Sequence, residues 1–191
     1  KEGKIIFVGD FMDSFDRSAI DHEDCLTKVL RAIDDGKAEA ILGNHELSYL
    51  MVGHRCSGYS IERAEVMMRY ADAVIDKFKP FIQLPDNWLI THAGMHPIVH
   101  ANYIRSGLSM EEWEDDEHSA AHWIGRSRGG SSFVGGIYWC DFNMEFEPVE
   151  GINQIFGHTA GQGIRSRNTK NSANYCIDCL DYSQEFFELE L

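Results

Sequence analysis

The chain has 191 residues, of which 43% are hydrophobic and 25% are charged. This length and composition suit one globular domain with a full hydrophobic core, and no apolar run approaches the ~20 residues that a membrane-spanning helix needs. Acidic residues outnumber basic residues by 31 to 17, and the formal charge of −14 disfavours binding to the phosphate backbone of a nucleic acid. We therefore expect neither a membrane nor a nucleic-acid partner. The negative charge does not rule out a small phosphorylated ligand, because bound divalent cations would offset part of that charge locally.

The first half of the chain alternates the patterns of strands and helices. Short apolar runs predict strands at residues 4–8, 38–42 and 88–91, the first of them buried. Residues 21–35 and 61–78 have the periodicity of amphipathic helices, with Gly36 and Pro80 as natural stops. On the first helix we expect one apolar face, made of Ile20, Leu26, Val29, Leu30 and Ile33.

The second half begins with an acidic, helix-prone stretch and ends in strand patterns. Ser109 is a plausible N-cap within residues 97–122, and the Gly- and Ser-rich residues 127–136 predict a loop. Four further strands are predicted at residues 137–139, 152–156, 175–180 and 186–191. Early strands alternate with helices and late ones follow each other directly. This order predicts an α/β fold with a mixed β-sheet and helices packed on it, in a single domain over residues 1–191.

The cysteines do not form a disulfide framework. Their number is odd and their spacing is irregular, which favours a reducing, cytoplasmic setting. Cys176 and Cys179 make a C-x-x-C pair, but no second pair completes a zinc site, so we expect both to be plain buried cysteines. The five are Cys25, Cys56, Cys140, Cys176 and Cys179.

Four predicted strands each end beside an Asp, Asn or His. If neighbouring strands run parallel, their carboxyl ends meet at one edge of a sheet, where ligand sites of open α/β sheets lie. A carboxylate, an amide oxygen and two imidazoles suit Mn, Fe, Zn or Co. Each piece alone is most often an ordinary turn, but the repetition after four strands favours a metal site. The four residues are Asp10, Asn44, His92 and His158.

These motifs resemble, in order and spacing, those of the calcineurin-like metallophosphoesterases. Within that family they look most like the branch of phosphoprotein phosphatases and diadenosine-tetraphosphatase-like enzymes. The resemblance runs from about residue 4 to residue 191, and Gly-Asn-His-Glu is its most diagnostic piece. The matching segments are Gly9-Asp10-Phe11-Met12-Asp13, Gly43-Asn44-His45-Glu46, His92-Ala93-Gly94 and Gly157-His158.

The resemblance implies a role for each matching residue. Asp10 would bridge two divalent metal ions, most simply Mn with Fe, Zn or Co as alternatives. Asn44, His92 and His158 would complete the ligands of the second ion. His45 would be the general acid, and Asp13 would hold it oriented and protonated, because a nearby carboxylate raises the pKa of an imidazole. The fold implied is that of layered mixed sheets flanked by helices.

The sequence departs from the family pattern ahead of Gly9. The family carries an Asp-x-His motif on a strand before that glycine, and residues 1–8 contain neither Asp nor His. Either the natural chain extends upstream of Lys1, which the missing Met favours, or the ligands of the first ion are lost. The first alternative predicts a chain truncated at its N-terminus, so that the first strand of the family's fold is missing, and the second predicts impaired activity.

The arginine that clamps phosphate in the family has several candidates. Ser14 stands where the family motif has its arginine, and Arg17 follows three residues later. Asp13 has the expected offset from Asp10, although Asp16 and Arg17 together are an alternative pair. In the loop ahead of Trp139, Arg126 and Arg128 are further candidates. Arg55, in another probable loop, is a candidate for substrate selection and not for the phosphate clamp.

The prediction from sequence is thus a metal-dependent phosphoesterase. It would hydrolyse a phosphomonoester or nucleotide phosphate with metal-activated water. Candidate substrates include phosphorylated small molecules, dinucleoside polyphosphates and phosphoproteins. The alternatives are a Ser/Thr protein phosphatase and a catalytically impaired metal-binding domain.

Overall fold

A computed structural model describes residues 3–51 and 56–191 of the chain. Arg55 lies outside these residues. The chain divides into two compact units, Lys1–Pro80 and Phe81–Leu191, and each contains a β-sheet. A single domain over residues 1–191 stays a prediction.

The first unit combines a small parallel sheet with helices. Its sheet has the order β1-β2-β3, and both neighbouring pairs are parallel, with Ile5 opposite Ala38 and Ala40 opposite Phe78. Helices α1 and α3 pack against each other. In chain order, the elements are β1 (Ile5–Phe7), α1 (Ala19–Asp34), β2 (Ala38–Ile41), α2 (Asn44–Leu50), α3 (Ile61–Lys77) and β3 (Phe78–Lys79).

Helix α1 begins two residues earlier than predicted because of a capping box. Ser18 Oγ accepts a hydrogen bond from the backbone N–H of Asp21 at 3.2 Å, and the Asp21 carboxylate accepts the N–H of Ser18 at 2.9 Å. The prediction that Ile20 shares the buried face is wrong, since its side chain is 77% exposed. At about 100° per residue, Ile20 lies roughly 200° around the helix from the buried His22.

The prediction of β1 as a buried strand is also wrong in part. Ile5 is 56% exposed, and the rest of the strand is half-buried. Among the described residues, β1 pairs with β2 alone, so it is an edge strand of this sheet. The core of the unit lies between the helices and β2, where Leu26, Met67 and Val74 are fully buried.

The second unit has a mixed five-stranded sheet in the order β4-β5-β6-β8-β7. The β4–β5 and β7–β8 pairs are antiparallel, whereas β5–β6 and β6–β8 are parallel. Two short 3₁₀ turns cover Ala120–His122 and Arg126–Arg128. The other elements are β4 (Phe81–Leu84), β5 (Trp88–Thr91), α4 (Pro97–Ser106), α5 (Met110–Asp115), β6 (Asn153–Phe156), β7 (Arg165–Ser166) and β8 (Asn174–Cys176).

Most predicted elements of this unit are present, and Ser109 caps α5 as expected. The predicted strand at residues 137–139 is wrong. The segment is buried, but its backbone forms a turn in which Trp139 and Cys140 both donate to the carbonyl of Gly136 at 3.0 Å. Residues 186–191 adopt no regular structure, and β8 ends at Cys176 instead of residue 180. A short apolar run predicts burial more reliably than it predicts backbone conformation.

The architecture agrees with the predicted fold class. Parallel and mixed sheets are flanked by helices, so the α/β prediction is confirmed. All five cysteines are free thiols, and Cys176 and Cys179 are buried as expected. In residues 3–51 and 56–191, no helix combines the length and apolarity that crossing a membrane requires.

Candidate active site

In the first unit, the ends of β1 and β2 meet as the strand-end argument predicts. Gly9-Asp10 follows β1 and Gly43-Asn44 follows β2, and the two strands are parallel neighbours. The backbone N–H of His45 donates to Asp10 Oδ1 at 3.2 Å. A Cβ on Gly43 would lie 2.4 Å from that same oxygen, so only glycine fits where the two strand ends approach each other.

Glu46 holds the loop after β1, a role that the sequence did not indicate. Its carboxylate is fully buried and accepts four backbone N–H groups. The donors are Asp10 at 2.9 Å, Phe11 at 2.8 Å, Met12 at 3.1 Å and Gly43 at 3.0 Å. One buried side chain thus fixes both strand ends, and the only signal for it was its place as the last residue of Gly-Asn-His-Glu.

His45 and Asp13 form the pair that the resemblance implies. His45 Nδ1 lies 2.9 Å from Asp13 Oδ2, and the Asp13 side chain is fully buried while that of His45 is 18% exposed. Burial by itself lowers the pKa of His45, but the hydrogen bond to Asp13 and the charges of Asp10 and Glu46 outweigh it, so the pKa lies above its ordinary value. The raised pKa favours the protonated form of the His45 imidazole, whose Nδ1 faces Asp13.

Two further side chains reach the other oxygen of Asp13. The hydroxyl of Tyr49 donates to Asp13 Oδ1, and Arg63 Nη1 lies 3.8 Å from the same atom. Burial and the neighbouring carboxylate raise the pKa of Tyr49, which keeps the phenol protonated as a donor. Neither residue belongs to a motif, so sequence reasoning missed both.

Asn44 is oriented by a buried thiol. Its Nδ2 donates to Cys56 Sγ at 3.1 Å, and the thiol in turn contacts the carbonyl oxygen of Asn44 at 3.2 Å. Burial raises the pKa of Cys56 to about 12, so the thiol stays neutral. With the amide nitrogen directed at sulfur, Oδ1 lies on the opposite side of the amide group.

In the second unit, His92 and His158 stand at the ends of two parallel neighbours, β5 and β6. The backbone N–H of Gly157 donates to the carbonyl of His92 at 2.7 Å, which ties the two ends together. His92 Nε2 and His158 Nδ1 are 3.1 Å apart, and the rings are nearly perpendicular, at 72°. The structure thus brings together the two imidazoles that the sequence proposed as ligands.

The spacing of this pair fits a shared metal ion. Two cis ligands at a metal–nitrogen distance of about 2.0–2.1 Å lie roughly 2.8–3.4 Å apart when the bond angle is about 90–109°. The observed 3.1 Å falls in that range. It also fits a direct hydrogen bond between two neutral imidazoles, so the distance alone is compatible with both states.

Backbone strain coincides with the candidate residues. Asp10, Asp13 and His158 all have positive φ, at 61°, 69° and 67°. This region is unfavourable for residues other than glycine, and such conformations concentrate at functional sites. No sequence signal indicated this strain, since none of the three positions is a glycine.

The candidate arginines differ sharply in their surroundings. Arg128 is half-buried, and its Nη2 lies 2.8 Å from Asp141 Oδ2 and 3.1 Å from Thr159 Oγ1, next in sequence to His158. Arg126 is exposed. Arg17 is 64% exposed and lies 3.8 Å from Asp16, also on the surface. Asp16 is exposed and accepts a hydrogen bond from Ser14, whereas Asp13 is the buried carboxylate that contacts His45.

Comparisons with known proteins establish likeness in fold. No protein-family model matches the chain. No curated protein matches it significantly. Among solved structures, a cold-active protein tyrosine phosphatase has a TM-score of 0.55 and 16% identity over 93% of this chain and 59% of its own. For the cold-active protein tyrosine phosphatase of a psychrophilic Shewanella species, these values are 0.55, 16%, 91% and 60%.

A point mutant of a cold-active protein tyrosine phosphatase gives a TM-score of 0.55 with 17% identity over 93% of this chain and 60% of that one. The chain therefore spans about three fifths of the length of the structures that it matches. At this level of identity, the likeness shows that they have an α/β fold in common.

Proposed function

We propose that this protein is a phosphoesterase that hydrolyses phosphate esters with the help of divalent metal ions, as a member of the calcineurin-like metallophosphoesterases. The observation that carries the proposal is the pairing of His45 Nδ1 with Asp13 Oδ2 at 2.9 Å. A partly exposed histidine with a raised pKa, backed by a buried carboxylate, is the arrangement that a general acid requires.

In the proposed reaction, His45 protonates the oxygen that leaves phosphorus. Asp13 holds the ring by Nδ1, so that Nε2 carries the proton toward the leaving group. Bound divalent ions would supply a water molecule of lowered pKa and would neutralise the charge on the phosphoryl oxygens. Arg128 is the favoured arginine for contact with those oxygens, because Asp141 and Thr159 hold its guanidinium in place.

The proposed protein ligands of the metal ions are Asp10, Asn44, His92 and His158. The order of the motifs along the chain supports this set, and so does the geometry within each unit. The amide of Asn44 is oriented by Cys56, and the imidazoles of His92 and His158 have the separation of two ligands of one ion. Mn²⁺ is the first ion to test, followed by Fe²⁺, Zn²⁺ and Co²⁺.

The solved structures of similar fold favour a phosphoprotein as one candidate substrate. They are named as protein tyrosine phosphatases, which supports hydrolysis of a phosphate ester. Phosphotyrosine peptides are therefore one class of substrate to test. The sequence resemblance adds phosphoserine peptides and dinucleoside polyphosphates. Turnover of these substrates, compared at equal concentration, separates a protein phosphatase from a nucleotide phosphatase.

The first experiment measures hydrolysis of p-nitrophenyl phosphate by the purified protein with and without added Mn²⁺. We expect turnover that a chelator abolishes and Mn²⁺ restores. With phenyl phosphate, whose leaving oxygen is more basic and depends on the acid, His45→Ala should lower kcat by about 10²-fold or more, the usual contribution of a general acid, with little change in bound metal. No turnover with any of the four ions would reject the proposal, and full activity of His45→Ala with phenyl phosphate would reject the general acid.

A second experiment tests whether the four ligands serve one metal centre. Bound Mn²⁺ is measured for Asp10→Ala and Asn44→Ala in the first unit and for His92→Ala and His158→Ala in the second. We expect each variant to bind less metal than the wild type. Loss confined to the histidine variants would assign the ion to His92 and His158 alone.

A further inference from the structure

The carboxylate of Asp13 is bound from two positions of one helix. His45 and Tyr49 are four residues apart on α2, and residues at this spacing lie on one face of a helix. His45 Nδ1 contacts Asp13 Oδ2 at 2.9 Å, and the Tyr49 hydroxyl donates to Asp13 Oδ1. Each oxygen of the carboxylate therefore has its own partner on the same helix.

The tyrosine ring is held so that its proton faces Asp13. The ring stacks on that of Tyr59, with centroids 4.7 Å apart and planes 17° from parallel. The backbone N–H of Ser60 donates to the Tyr49 oxygen at 3.4 Å. Because this N–H approaches the oxygen as a donor, the phenolic proton is left for the carboxylate.

Arg63 also lies beside Asp13, but its guanidinium donates its hydrogen bonds to backbone carbonyls. It donates to the carbonyl of Gly58 at 2.6 Å and to those of Ser14 and Arg17 at 2.9 Å each. Its distance from Asp13 Oδ1 is 3.8 Å, that of an ion pair. Tyr49 is thus the side chain that donates a hydrogen bond to this oxygen.

We propose that Tyr49 is a positioning residue for the hydrolysis, which holds the Asp13 carboxylate in the plane that His45 needs. This inference rests on the proposed function. With the hydroxyl in place, Oδ2 stays directed at His45 Nδ1, and the ring of His45 presents Nε2–H to the leaving oxygen. Without the Tyr49 hydroxyl, the carboxylate is free to turn toward Arg63, and His45 transfers its proton to the leaving oxygen less efficiently.

A defect in proton transfer from His45 can be distinguished from misfolding, because its effect on the rate depends on the basicity of the leaving group. A leaving group that is already a weak base departs without much help, whereas a basic leaving group depends on the acid. p-Nitrophenyl phosphate has the first kind of leaving group and phenyl phosphate has the second. A defect in the orientation of His45 should therefore appear mainly with phenyl phosphate.

The experiment compares Tyr49→Phe with the wild type on both substrates. Phenylalanine keeps the ring and its stacking on Tyr59, and circular dichroism establishes that the variant is folded. We expect kcat to fall about tenfold or more with phenyl phosphate but within about threefold with p-nitrophenyl phosphate. KM and bound Mn²⁺ should stay within about twofold of the wild type, since a positioning defect acts on the chemical step.

The matched control is Tyr70→Phe, which removes another hydrogen-bonded tyrosine hydroxyl of the same unit. Tyr70 donates to Glu23 at 3.1 Å, and neither residue belongs to a candidate motif, so both substrates should be turned over as by the wild type. His45→Ala serves as the reference for a leaving-group defect.

The outcomes separate the two proposals. If Tyr49→Phe loses the same factor with both substrates, or loses nothing, while His45→Ala is selectively impaired with phenyl phosphate, the role of Tyr49 is rejected and the proposed function stands. If the wild type turns over neither substrate, the proposed function is rejected. If His45→Ala is impaired equally with both substrates, the assignment of His45 as the general acid is rejected.

Discussion

The carboxylate of Glu46 accepts the backbone N–H of Asp10 at 2.9 Å, across 36 positions of sequence. This contact ties the start of α2 to the loop that follows β1. Both residues belong to candidate motifs, yet Glu46 has its side chain turned into the protein, where it is fully buried. Its contribution is to hold the backbone on which Asp10 stands.

Replacing Glu46 by Gln should therefore destabilise the protein. The amide nitrogen of glutamine would face at least two of the four backbone N–H donors, and both would lose an acceptor. At about 1–3 kcal/mol for each buried hydrogen bond left unmade, we expect the two lost bonds to reduce the free energy of unfolding, measured in urea, by roughly 2–6 kcal/mol. The control is Glu62→Gln, an exposed change on α3. Equal stability of Glu46→Gln and the wild type would contradict this account.

Gly43 is expected to tolerate no side chain. A Cβ there would lie 2.4 Å from Asp10 Oδ1, 2.5 Å from Asp10 N and 2.7 Å from Glu46 Oε2. Gly43→Ala should cost about 1–3 kcal/mol of stability, as overpacking does, and should lower bound Mn²⁺ by moving Asp10. Gly3→Ala, where a Cβ meets nothing within 4 Å, is the control. Metal titration and urea unfolding of the two variants test the contrast.

The two loop arginines should differ in their effect on substrate binding. Arg128 is held by Asp141 and Thr159, whereas Arg126 is exposed. A charged hydrogen bond of about 1.5–3 kcal/mol corresponds to roughly 10- to 100-fold in affinity, so we expect Arg128→Ala to raise KM by about that factor. Arg126→Ala should change it less than about twofold. Steady-state kinetics and inhibition by inorganic phosphate provide the comparison; a larger effect at Arg126 would reverse the assignment.

Protonation of His96 in mild acid should make the protein less stable. It is the N-cap of α4, and its Nδ1 accepts the backbone N–H of Ile98 at 3.0 Å, which requires the unprotonated nitrogen. Burial lowers its pKa below the ordinary value of 6.5, although the charges of Glu147 and Glu145 oppose this. Because the folded pKa is the lower one, the contribution is complete above pH 6.5 and is lost as the pH falls through the folded pKa.

The test is His96→Asn, which keeps a capping oxygen but does not titrate. Between pH 7.5 and pH 5.5, the wild type should lose more stability than His96→Asn. At pH 7.5, His96→Ala should cost about 1 kcal/mol through loss of the cap, and His96→Asn should cost little. Parallel loss of stability in the wild type and His96→Asn on acidification would show that His96 does not carry the effect.

The sequence by itself determined the features that depend on neighbours along the chain. Helix periodicity located α1 and α3, the alternation of strands and helices gave the α/β class, and short motifs after strands marked Asp10, Asn44, His92 and His158. Local patterns carry such information because propensity and capping act within a few residues. The expectation that all four strands are neighbours in one sheet is wrong, because β1 and β2 are parallel neighbours in one sheet and β5 and β6 are parallel neighbours in another.

Only the tertiary structure decided which side chains support these residues. Glu46 and Asp10 are 36 residues apart, Tyr49 and Asp13 are likewise 36 apart, and Arg128 and Thr159 are 31 apart. It also showed that the buried residues 137–139 form a turn and that Ile20 faces outward. Hydrogen bonds between residues so far apart depend on how the elements pack, and no local pattern records that packing.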